Sequence, residues 1–251
     1  MRLKASRHSG LPTTSSTRII RAFFFAALVF VMSMGTTFAQ DPMKVAPSIF
    51  RILLENNRVR VLQEWLRPGE KEPMHSHPRA VRYALNSFNG KSTSLSGRVT
   101  EFSAKAGQVD WSEPETHAVE NAGRTTLRAT IVELKTPQYL PPREHKGGPD
   151  PLRVASHSHK LLFENKFVRV LLFHLIPGQR TRPHYHPDHV SYVLRGGILR
   201  ETLPNRRVIR RVWRPKRAKW VEGGTRIVQN VGMSEVRLLM VELKSPLEGE
   251  K

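Results

Sequence analysis

The feature that most constrains this chain is a duplication. LLENNRVRVL at 53–62 recurs as LFENKFVRVL at 162–171, an offset of 109 residues. The same offset carries Pro68-Gly69 onto Pro177-Gly178, and HSHP at 75–78 onto HYHP at 184–187. It carries Val81, Tyr83 and Leu85 onto Val190, Tyr192 and Leu194. It also carries Trp111 onto Trp220, Asn121 onto Asn230, and VELKTP at 132–137 onto VELKSP at 241–246. Gap-free agreement in one phase means two copies of one structural unit. Each copy, at roughly 90 residues, is large enough for a small core of its own.

Within each copy the signals are β. VRVLQEWL and VRVLLFHL are rich in β-branched and aromatic residues, and each stops at Pro-Gly. Apolar side chains alternate with period two at 81–85 and 190–194. No window carries a sustained helical period with caps. Short strands divided by turn signals predict an all-β barrel or sandwich. TPQYLPPREHKGGPDP at 136–151 is rich in Pro and Gly and reads as a linker. The predicted boundaries are a leader at 1–39, a first unit at 40–137, a linker at 138–157 and a second unit at 158–251.

The leader reading rests on Arg2, Lys4, Arg7, Arg18 and Arg21, then the uncharged run AFFFAALVFVMSM at 22–34, then Thr37-Phe38-Ala39. A basic stretch, a short apolar run and a small-x-small site describe a secretory signal peptide. Thirteen residues are too few to span a bilayer, which needs about 20. The expectation is therefore an exported protein, periplasmic or extracellular, whose mature part starts near Gln40. The absence of cysteine excludes disulfides, thiolate metal sites and a cysteine nucleophile.

The histidines carry the chemistry. His75-Ser76-His77 follows Gly69 after five residues, and two histidines at i and i+2 on a strand share a face. His117 lies between Trp111 and Asn121 in the pattern W-x5-H-x3-N. If its strand lies beside the first, three imidazoles converge on one side of a cation and leave positions open for water or substrate. The bland alternative is three polar interior histidines bonded to one another and to water.

G-x5-H-x-H with a downstream H-x3-N resembles the cupin family, and the duplication resembles a bicupin. The resemblance covers about residues 49–137 and 158–246. It implies two tandem antiparallel β-barrels of jelly-roll type, similar to germins and oxalate decarboxylases, with a metal held by His75, His77 and His117. The family's usual glutamate falls at Val81 or Arg82, and neither can bind a metal. Three-histidine cupins without that carboxylate include iron dioxygenases. The resemblance thus implies a divalent transition metal, leaning to iron over manganese, nickel or zinc, and chemistry on a small organic ligand: oxygenation, isomerisation or decarboxylation.

The second unit departs further. His184 and His186 remain, but Arg226 stands where His117 stands in the first. His189 offers a third nitrogen in H-x-H-x2-H, although strand parity turns it to the other face. Arg226 is a candidate for holding an anion. His157-Ser158-His159 reads as an exposed arm before the first strand, because its counterparts are Ser48 and Phe50. Arg60, Arg128 and Glu133, with Arg169, Arg237 and Glu242, read as cross-strand charge pairs.

The net charge of +20 locates a second feature. Once the five basic leader residues are set aside, residues 40–150 are close to balanced, while 151–251 carry 20 basic against 8 acidic residues. Much of the excess lies in RETLPNRRVIRRVWRPKRAKW at 200–220, with Arg206, Arg207, Arg210 and Arg211 at its centre. For an exported protein this stripe predicts an anionic envelope surface rather than nucleic acid. Three readings compete: a metal-dependent enzyme, a non-catalytic anion-binding module, and a structural pair of barrels acting through partners. Self-association is not readable from the sequence.

Overall fold

The computed structural model describes residues 40–135 and 147–244. The expected leader and residues 138–146 of the expected linker, His145 among them, lie outside the described residues. The rest is all-β, as two copies of one topology.

The first barrel opens with a single helical turn, α1 (Pro42–Val45), capped by the Asp41 carboxylate on the Met43 amide. Nine strands follow: β1 (Phe50–Glu55), β2 (Val59–Leu66), β3 (His75–His77), β4 (Ala80–Ala84), β5 (Phe88–Ser94), β6 (Val99–Ala104), β7 (Val109–Ser112), β8 (Glu115–Glu120) and β9 (Leu127–Leu134). They form a five-stranded antiparallel sheet, β1-β2-β9-β4-β7, facing a four-stranded one, β3-β8-β5-β6. The second barrel repeats this with α2 (Pro151–Val154), β10 (His159–Glu164), β11 (Val168–Leu175), β12 (His184–His186), β13 (His189–Arg195), β14 (Gly197–Thr202), β15 (Val208–Trp213), β16 (Ala218–Val221), β17 (Gly224–Asn230) and β18 (Val236–Leu243). Its sheets are β10-β11-β18-β13-β16 and β12-β17-β14-β15.

Helix α2 shifts one boundary. It packs on β10 and β12, and the Tyr185 amide donates to Pro149 O. The second barrel therefore begins at Asp150, inside the stretch 138–157 read as linker. Asp41-Pro42 and Asp150-Pro151 are the same repeat position. One helical turn is too short to leave a periodic signal, which hid the match.

The turns after β2 and β11 show why Pro-Gly ends each strand. Glu70 N donates to Arg67 O at 3.0 Å, with Gly69 at φ +78°; Gln179 N donates to Ile176 O at 3.1 Å, with Gly178 at φ +81°. Proline second and a left-handed glycine third define a type II turn. The Asn121 side chain then clamps the neighbouring loop, donating to Leu66 O and Thr125 O at 2.8 and 2.9 Å, and Asn230 does the same with Leu175 O and Ser234 O. The asparagine of the H-x3-N pattern is thus a structural clamp.

The β2 strand explains the shared core. Leu62, Glu64 and Leu66 face the barrel interior, while Val59 and Val61 face outward, and all five are buried. The outward face packs on the second barrel. Val59, Val61, Val81, Tyr83 and Val132 form one cluster with Val168, Val170, Val190, Tyr192, Leu239 and Val241. Trp111 stacks on Phe167 of the other barrel at 5.4 Å. Each five-stranded sheet is therefore covered on both sides, which accounts for near-continuous apolar runs in place of simple alternation. A fully buried Val, Leu or Phe contributes about 1.5–3 kcal/mol.

Candidate metal centres

In the first barrel β3 pairs with β8, and the register sets His75 opposite His117. His75 and His77 lie on one face of β3, as the i and i+2 spacing requires. All three imidazoles are buried, and each offers a nitrogen within 4.8 Å of the others.

The ring orientations are fixed from behind. His75 Nδ1 donates to Pro73 O at 2.7 Å, which leaves Nε2 as its lone-pair nitrogen. His77 Nδ1 donates to the Glu133 carboxylate at 2.6 Å, so its Nε2 is likewise an acceptor. These two Nε2 atoms face each other at 3.0 Å. Two lone pairs that close require a proton or a cation between them. His117 Nε2 is buried with no hydrogen-bond partner. Burial pushes the His75 imidazole down to about 4, which keeps it unprotonated at neutral pH. These are the properties of a cation site.

Glu133 ties this site to the fold. Its second oxygen accepts from Arg60 Nε at 2.5 Å, and Arg60 reaches Asp41 at 2.5 Å. Against burial, His77 and Arg60 hold the Glu133 carboxyl below the usual carboxylate range. The Ser76 amide, between the two histidines, donates to Gln40 O at 3.0 Å. Arg60 and Arg169 do pair across strands with Glu133 and Glu242. Those pairs also orient His77 and His186, which a surface ion pair does not do. Arg128 takes no part: it lies over the Trp65 ring at 5.7 Å.

No carboxylate stands at 81 or 82, but one reaches the site from elsewhere. Glu72 Oε2 lies 3.7 Å from His75 Nε2, and both residues are essentially fully buried. Burial and the neighbouring Glu64 carboxylate push the Glu72 carboxyl well upward. Arg82 Nε lies 3.6 Å from Glu64. Apart from one another, the Glu64 and Glu72 carboxyls have no hydrogen-bond partner. The expected position for a carboxylate follows the second histidine, whereas Glu72 precedes the first, so the motif does not reveal it.

The second barrel overturns one expectation. The grouped nitrogens belong to His159, His184 and His186, all buried. His159 was read as part of an exposed arm. His157 is exposed, but His159 opens β10 and points inward. His189 also turns inward, against the parity argument. The chain leaves β12 at His186 and enters the opposing sheet at His189, so strand parity does not carry across Pro187-Asp188. Its ring lies 5.3 Å from that of His186. Burial pushes His159 down to about 2 and His189 to about 3.

The barrel interiors differ position by position. Glu64, Glu72 and Arg82 become Phe173, Thr181 and Ser191; His117 and Ser92 become Arg226 and Glu201; Phe50 and Ala80 become His159 and His189. Arg226 is inside the barrel, not on the basic stripe. Glu201 receives it at 3.7 Å and Arg211 at 2.9 Å. Of the stripe, Arg206, Arg207 and Arg210 are exposed while Arg211 is tied to Glu201, so the four do not form one free patch.

No protein-family model matches the sequence, and no curated protein matches it. Solved structures do match the fold. One is an oxalate decarboxylase studied for a structural element that modulates proton-coupled electron transfer, with TM-score 0.56 and 14% identity over 78% of this chain and 72% of that one. Another is the Bacillus subtilis oxalate decarboxylase in which Mn(II) centres were assigned, with TM-score 0.52 and 13% identity over 79% of this chain and 76% of that one. A third is an oxalate decarboxylase studied for substrate binding mode and a reaction specificity switch, with TM-score 0.54 and 13% identity over 79% and 76%.

Proposed function

For a chain with the bicupin fold, we propose an exported, metal-dependent protein whose first barrel binds a divalent transition metal through His75, His77 and His117 and acts on a small organic molecule. One observation carries this reading. Three buried imidazoles aim nitrogens at one point, and two acceptor nitrogens face each other at 3.0 Å. A metal there supplies Lewis acidity, or a redox centre for dioxygen, at its open positions. The chain's own part is orientation: Pro73 O and Glu133 fix His75 and His77, and Arg60 fixes Glu133. Glu72 lies 3.7 Å from His75 Nε2 but outside the group of converging nitrogens, so the donor set is three imidazoles, which suits iron, nickel or zinc.

The test is elemental analysis of protein purified from its native compartment, with His75→Ala and His117→Ala alongside. Bound transition metal that falls by about one equivalent in each variant is the expected result. Absence of transition metal, with no uptake of Fe(II), Mn(II), Ni(II) or Zn(II), overturns it.

A second reading concerns β15, an edge strand with Val208, Arg210 and Val212 exposed on one face and Arg206 and Arg207 exposed before it. Alternating cations and exposed valines at a sheet edge favour an anionic surface. Neutralising Arg206, Arg207 and Arg210 is expected to abolish sedimentation with anionic phospholipid vesicles at low salt. Unchanged sedimentation excludes it.

A further inference from the structure

We propose that the second barrel holds its own transition metal, through a ligand set that the first barrel does not use: His159, His184 and His186. This goes beyond the reading of the first barrel. The third nitrogen does not come from the strand that carries His117, since Arg226 occupies that position. It comes from the first residue of β10, where the first barrel has Phe50.

The argument begins behind the rings. His184 Nδ1 donates to Arg182 O at 2.8 Å. His186 Nδ1 donates to Glu242 Oε1 at 2.5 Å. His159 Nδ1 lies 3.1 Å from Ala155 O, an acceptor only, and 3.1 Å from Ser158 Oγ, whose own proton goes to Ala155 O at 2.9 Å. Each Nδ1 is therefore the protonated nitrogen, and each Nε2 presents a lone pair to the interior. His159 Nε2 and His184 Nε2 are buried without any partner. Converging lone pairs repel an anion and attract a cation.

Arg226 is the obvious objection. Its charge is answered locally by Glu201 at 3.7 Å, and one amino group donates to Glu222 O at 2.7 Å. Glu242 places a carboxylate behind His186. The cavity that His184 and His186 line has three further buried donors without partners, Ser191 Oγ, Trp213 Nε1 and Arg226 Nε, beside one unpartnered acceptor, Glu201 Oε2. They suit oxygen atoms of water or a small oxyanion on the cation's remaining positions. His184 and His186 line a cavity of about 30 Å³, and the His159 ring packs against both of theirs at 4.9 and 5.1 Å from outside that lining, so only a few ligand atoms fit beside the cation. The grouped donors are all nitrogen, as they are in the first barrel. The second site therefore favours Co(II), Ni(II) or Zn(II) over Mn(II).

The test titrates Co(II) by calorimetry and visible absorption in the full-length His75→Ala/His117→Ala protein, where the first site is disabled. One equivalent is expected. His159→Phe, which copies Phe50 and so preserves packing, is expected to weaken that binding at least about 100-fold, the upper end for loss of a mere outer partner. Adding Arg226→His to that variant rebuilds the first barrel's pattern and is expected to restore binding. Arg226→Gln alone in the disabled background is expected to tighten it, whereas an anion site centred on Arg226 predicts no gain for Co(II). Wild-type protein that takes up one equivalent while the disabled background takes none overturns this proposal and leaves the first-barrel reading intact. Binding unaffected by His159→Phe overturns it equally. Loss of uptake only at the second site on His159→Phe, with the first site unchanged, supports it.

Discussion

Glu133→Gln separates a charge that organises a site from a charge that merely decorates a strand. The Glu133 side chain is 1% exposed and accepts from His77 Nδ1 at 2.6 Å and Arg60 Nε at 2.5 Å. Glutamine keeps one acceptor but turns an amide donor against one of two donors. Removing one member of a buried ion pair costs about 3–5 kcal/mol. Arg60 keeps Asp41 at 2.5 Å, so the lower figure, about 3 kcal/mol, applies. The same change frees the His77 ring, and loss of such an orienting partner weakens metal binding about 10–100-fold, or roughly 1.4–2.8 kcal/mol. Urea denaturation of the metal-free protein reads the first figure. Co(II) titration in a His159→Phe background, which isolates the first barrel, reads the second. A stability loss under about 1 kcal/mol together with unchanged affinity refutes the reasoning, because Glu133 would then act as a solvated pair.

Acid should destabilise the metal-free protein. His75 stays neutral when folded down to about 4 but takes a proton near pH 6.5, the ordinary imidazole value, when unfolded, so its contribution is intact above pH 6.5 and is lost as pH falls to 4, about 3 kcal/mol for this residue alone. The upward-shifted Glu72 acts in the opposite sense but stands against several buried histidines, so a urea midpoint that stays flat from pH 7 to 4 contradicts the assignment. Tyr192→Ala removes a buried ring from the core common to both barrels and should cost about 3–5 kcal/mol, with Trp111 and Trp220 reporting one coincident transition; separate transitions argue against a shared core. Gly196→Ala places a Cβ 2.2 Å from Trp213 O and 2.7 Å from Pro215 Cδ, so a cost of about 1–3 kcal/mol is expected in thermal melts.

The duplication made the architecture legible, because strand signals recurring in phase allow few topologies. His75, His77 and His117 were legible as a candidate set from their own spacing and the family resemblance, not from the duplication, since Arg226 replaces His117 in the second copy. The same device misled at His159, where alignment with Phe50 argued for an unimportant position. Divergence between copies is where a repeat stops being informative: His159, His189 and Glu201 replace Phe50, Ala80 and Ser92. Glu72 was hidden because it lies before the histidines, among the five residues between Gly69 and His75. The role of Glu133 required the β2–β9 register together with β3, which no local pattern contains.

The chain's first described residues have a consequence for maturation. Gln40 O receives the amide between His75 and His77, and Asp41 is the far end of the Asp41–Arg60–Glu133–His77 chain of contacts. If processing releases the chain at Gln40, both anchors survive. Trimming two residues further would cut them away and loosen a site more than thirty positions along the sequence. The two residues that open the described chain thus help to hold the imidazoles of the first barrel in place.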